Sequence, residues 1–178
     1  APARRMSPSI RTLLLSIVAA FVVGLLYVAS ANLLSAWDTM RSARIMQLNA
    51  EIGDLLLSSA GSLASERGVT NTALSAEIAT DPATITRIAG LRRSGDEALA
   101  SALERLVDGA DFAGRDALIQ RVRQNYDALV ALRRDIDRQL PLSADARDAG
   151  VVAQWVPAAT ALIMSSQDLR IAAQNVPA

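Results

Sequence analysis

Glu66, Arg67 and Gly68 stand together inside LASERGVTNTALS, residues 63–75. A carboxylate and a guanidinium in a run of small and apolar residues can do two kinds of chemistry. A guanidinium binds carboxylates and oxyanions through paired hydrogen bonds. A buried carboxylate can instead neutralise neighbouring guanidiniums and set the register of packed helices. Steps of seven from Ile45 reach Ile52, Ser59 and Glu66. Glu66 therefore falls on the apolar seam of its helix, with Arg67 on the flank. The same extension from Ile85 and Ile88 reaches Arg92 and Gly95, and from Tyr126 and Leu129 it reaches Arg133. At ~1.5 Å per residue, Glu66, Arg92, Arg133 and Trp155 lie within about one turn of each other in height. The spacing predicts one layer holding these four, with Arg67 at its edge. An excess of guanidinium beside an indole wall would form a pocket for a small anion. A buried ion cluster, or arginines turned outward into solvent, are the other readings of the same residues.

Composition removes several alternatives. The chain has no His and no Cys, which excludes Ser-His-Asp and Cys-His catalysis, disulfides and ordinary zinc sites. No catalytic residue, metal ligand or cofactor is expected, and an enzyme is disfavoured. All 18 basic residues are Arg, and they balance 18 acidic ones. Zero net charge argues against nucleic acid as a partner. Hydrophobic residues make up 51% and aromatic residues only 3%, so the core must be aliphatic and closely packed.

The elements that position these residues are helical. The first helix runs to about Ser75. Asp81-Pro82 supplies an N-cap and a Pro at the first helical position for the second, which reaches about Asp108. GADFAG breaks the chain. The third helix runs from about Arg115 to Leu140, where Pro141 stops it. The fourth starts near Ser143-Ala144-Asp145 and continues to about Asn175, kinked at Pro157. Three- and four-residue apolar spacing recurs throughout, as in Ile119, Val122, Tyr126 and Leu129. Short connections between such helices predict an all-α, up-down-up-down antiparallel four-helix bundle.

Residues 12–31, TLLLSIVAAFVVGLLYVASA, carry no charge over about the length that crosses a bilayer as a helix. Arg4, Arg5 and Arg11 precede them, which predicts a cytoplasmic tail over 1–11 and export of residues 32–178. A cleaved signal peptide is the competing reading, with Ala29-Ser30-Ala31 as its cleavage triplet. Trp37, Met40, Ile45 and Leu48 lie below the expected reach of helices two and three, which predicts a parallel homodimer along the first helix.

Two motifs carry a resemblance. The first is L-x-x-E-R-G-x-T-x-x-x-L, spanning Leu63, Glu66, Arg67, Gly68, Thr70 and Leu74. The second is W-x-P-A-x-x-x-L-I, followed by L-R-x-A-A, from Trp155 to Ala173. Together with the apolar N-terminal segment they resemble the periplasmic sensor region of bacterial transmembrane receptors. Methyl-accepting chemotaxis proteins are the nearest type, and histidine kinases and diguanylate cyclases carry similar regions. The Glu-Arg-Gly segment is similar to that of nitrate- and nitrite-sensing helical domains. That resemblance implies that Arg67 helps hold an anion, that the bundle is periplasmic on the inner membrane, and that the chain serves signal transduction. A membrane-anchored bundle that only dimerises or spaces other domains is the alternative.

Overall fold

A computed structural model describes residues 10–108 and 111–174. The expected tail up to residue 9, residues 109–110 of the GADFAG break and residues 175–178 lie outside them. Helix α1 spans Ile10–Ser75, α2 Pro82–Asp108, α3 Arg115–Gln139 and α4 Ala149–Gln174, with a short 3-10 turn at Ala144–Ala146. Among the described residues there is no strand. The fold is all-α, with the helices packed against each other.

The chain divides into two units, Ala1–Arg44 and Ile45–Ala178. In the first unit the described apolar side chains lie in the open. Leu14, Phe21, Leu26 and Trp37 are 58, 71, 64 and 73% exposed. The described side chains of this stretch of α1 build no core of their own.

The second unit has a continuous core. Ile52, Leu56 and Leu63 of α1 meet Ile88, Leu99 and Leu106 of α2. Val122, Leu129 and Ile136 of α3 and Trp155, Leu162 and Leu169 of α4 complete it. Ile85, expected on the seam, is 37% exposed, while Ile88 one turn on is buried. Gly95 lets α2 approach α1 closely, since an added Cβ would come within 3.3 Å of the Ser62 Cβ. At the same level Ser59 donates a hydrogen bond to the Gly95 carbonyl at 2.9 Å.

Local chemistry explains the helix ends. Asp81 Oδ1 accepts the Thr84 N–H at 2.9 Å and Asp81 Oδ2 the Thr84 hydroxyl at 2.7 Å, capping α2 ahead of Pro82. Gly114 precedes α3 with φ of 78°, a left-handed conformation natural to glycine. The fourth helix starts later than the sequence suggested. Arg147 is extended there, and its guanidinium turns back to the carbonyls of Leu74 (2.7 Å), Ala76 (2.6 Å), Ile78 (2.9 Å) and Gln139 (3.3 Å). Asp148 Oδ1 then accepts the N–H groups of Gly150 and Val151 and opens α4.

Among the described residues, α4 is the helix long and apolar enough to cross a membrane by length and composition. Its apolar stripe faces the other helices instead, with Trp155, Leu162 and Leu169 at 0% exposure. Pro157 lies inside it without ending it, as expected.

The capping geometry sets a pH dependence. The Thr84 hydroxyl first, and the Thr84 N–H second, hold the Asp81 carboxyl below its ordinary value of 3.8. A lowered folded-state pKa means the stabilisation is complete above 3.8 and is lost as pH falls through the folded value. Asp81→Ala should therefore lower the melting temperature at neutral pH. In circular dichroism melts the gap from wild type should close as pH drops below 3.8.

Candidate functional site: a buried ion ladder and a flanking arginine

Glu66 sits on the inner face of α1 at 1% exposure, where a lone carboxylate would cost several kcal/mol in lost hydration. Two guanidiniums offset that cost. Arg133 of α3 donates Nε to Glu66 Oε1 at 3.0 Å and Nη2 to Oε2 at 2.5 Å. Arg92 of α2 donates Nε to Glu66 Oε1 at 2.7 Å. Three expected members of the layer therefore meet at one carboxylate.

Each guanidinium carries a second carboxylate. Arg133 Nη1 donates to both oxygens of Asp96 at 2.9 and 3.0 Å. Arg92 Nη1 donates to both oxygens of Asp137 at 2.7 and 2.9 Å. The result is a ladder: Asp96, Arg133, Glu66, Arg92, Asp137. Its exposure rises from the centre outward, with side chains at 1% for Glu66, 6 and 16% for the arginines, and 30 and 50% for the aspartates.

This corrects the charge balance read from the sequence. An excess of guanidinium was expected, and three carboxylates face two guanidiniums instead. Asp96 and Asp137 were missed, although a signal for them exists. Residues 92–96 read RRSGD and residues 133–137 read RRDID, the same R-R-x-x-D pattern in both helices. Each arginine passes over the aspartate one turn along its own helix and takes the one on the neighbouring helix.

The charges act on each other. Burial pushes the Arg133 guanidinium down, but its bonds to Glu66 and then Asp96 outweigh this and hold it above the ordinary arginine value. Burial and the Asp96 charge push the Tyr126 phenol up. Two polar atoms at this level, Arg92 Nη2 and Thr70 Oγ1, are buried without a partner.

The two remaining expected residues stand beside the ladder. Trp155 is fully buried and donates its indole N–H to the Arg67 carbonyl at 3.1 Å. The half-buried Arg67 side chain turns to α4, where Nη1 donates to the Thr160 hydroxyl at 2.9 Å. It meets no carboxylate among the described residues. Arg67 is therefore the guanidinium of this constellation left with donors and charge for an anion. No protein-family model, curated protein or solved structure matches this chain.

The graded burial predicts graded energetics. Glu66→Gln keeps the shape but removes the central charge, and should cost about 3–5 kcal/mol. Asp137→Asn at the half-exposed end should cost less than about 1 kcal/mol. Urea titrations followed by circular dichroism compare the two, and equal shifts in the midpoint would refute the central role of Glu66.

Proposed function

We propose that the chain is the extracytoplasmic, ligand-sensing input region of a bacterial transmembrane receptor of the chemoreceptor type, responding to a small anion. In this reading residues 1–11 are a cytoplasmic tail, residues 12–31 cross the inner membrane, and residues 32–178 form a periplasmic up-down-up-down four-helix bundle, paired as a parallel homodimer along α1. The register of the polar contacts supports the bundle. Ser59 meets Gly95 and Glu66 meets Arg92, so α2 numbers fall as α1 numbers rise. Arg92 with Asp137 and Asp96 with Arg133 repeat this for α2 and α3. Arg121 with Asp168 and Asn125 with Ser165 repeat it for α3 and α4. The open apolar side chains from Leu14 to Val28 support the anchor.

One observation carries the sensing reading. The same helix, α1, bears both that apolar stretch and the Glu66-Arg67 pair. An anion drawn to Arg67 would compete with the Thr160 contact and bias α1 against α4. A continuous helix transmits such a small shift along its length. The membrane-anchored structural bundle remains the second reading, because the ladder closes on itself with no arginine in it lacking a carboxylate.

Cysteines at Ala36 and Ala43 in membranes should form inter-chain disulfides, and a compact oxyanion such as nitrate that raises the melting temperature should change their yield. Arg67→Ala should abolish that thermal response while changing the free domain's melting temperature little. A screen of nitrate, nitrite and other compact oxyanions that moves neither melting temperature nor crosslinking would leave the structural reading standing.

A further inference from the structure

A groove of about 630 Å³ opens between the last turns of α1 and the first turns of α2, separate from the ladder and from Arg67. The loop between these helices forms its end wall and is held from behind. Arg147 binds the Ala76 and Ile78 carbonyls, Thr80 N–H donates to the Leu140 carbonyl at 2.9 Å, and Ala144 N–H donates to that of Glu77 at 3.1 Å. The groove is therefore built into the fold before any ligand arrives.

Its lining states what fits. Val69, Ala73, Ala76 and Ala79 make an apolar floor, and the side chain of Ile78 stands 76% exposed beside it. Gly68 opens the α1 wall. A Cβ added there would meet nothing within 4 Å, so no packing inside the chain calls for glycine at this mid-helix position, where it is unfavourable. Thr80 Oγ1, also in the lining, is buried without a hydrogen-bond partner. Arg87 is the one basic residue of the described lining, exposed and without an acidic partner among the described residues. The carboxylate of Asp81, also in the lining, is engaged by Thr84 and stays ionised.

One cation invites one negative charge. The Asp81 carboxylate disfavours a second. The apolar floor and the volume exceed what a compact inorganic oxyanion would use. We propose that this groove binds an aliphatic monocarboxylate, with its carboxylate on Arg87 and its hydrocarbon part over Val69, Ala73 and Ile78.

The test uses the full chain in nanodiscs and sodium pentanoate as the probe. Calorimetry should show saturable binding, and the melting temperature should rise. Neutral pentanamide, succinate and sulfate should each bind at least about tenfold more weakly, the difference expected from a charge-assisted guanidinium contact. Arg87→Gln should weaken pentanoate by at least about tenfold, with the ligand-free melting temperature unchanged. Gly68→Leu fills the groove with a good helix former. It should abolish binding without lowering the melting temperature. Arg67→Ala should leave pentanoate binding intact. Absence of saturable binding overturns the assignment. So does binding left unchanged by either Arg87→Gln or Gly68→Leu, or binding lost in Arg67→Ala.

Discussion

A carboxylate with 1% exposure dictates how three helices sit together. Glu66 is tolerated in the core only while the guanidiniums of Arg92 and Arg133 reach it, so α2 and α3 have one acceptable height against α1. Apolar layers alone are more forgiving, because Leu, Ile and Val can exchange partners with small losses. A slip of one turn would keep many such contacts but would strand three charges. The ladder thus supplies specificity that an aliphatic, aromatic-poor core lacks. Its outer aspartates let the charge grade into solvent over two side chains rather than end abruptly inside the core.

Three consecutive residues of α1 face three different surroundings, as the ~100° step of a helix requires. Glu66 faces α2 and α3, Arg67 faces α4, and Gly68 faces the groove. The segment is compact in sequence yet serves unrelated purposes in space. Its middle residue also holds α4 through its backbone, by the bond from Trp155 to the Arg67 carbonyl.

Much of this was legible in the sequence because helical periodicity is strong and its exceptions are informative. Charged residues on an apolar seam pointed to Glu66, Arg92 and Arg133, and the structure brings them together. The two aspartates escaped because they lie off the seam, where a charge is ordinarily solvated, and only the repeated R-R-x-x-D spacing marks them. Helix starts set by Asp81-Pro82 were legible from local chemistry. The delayed start of α4 was not, since it depends on Arg147 reaching backbone far away in sequence. The groove had no sequence signature either. It arises from small residues on one helix and a loop held from the opposite side, a relation that only the assembled fold contains.

The Arg147 clamp is asymmetric. One side is a single side chain, and the other is main-chain carbonyl, which every amino acid carries. Substitution at Arg147 would remove four bonds at once and leave the reversal to the Thr80 and Ala144 backbone bonds, whereas substitution at Ala76 or Ile78 leaves the clamped oxygens in place. The loop can thus change its side chains freely while keeping its path. Since those side chains also line the groove, the fold separates what the groove prefers from what holds it open. Ligand preference can drift by single substitutions without putting the scaffold at risk.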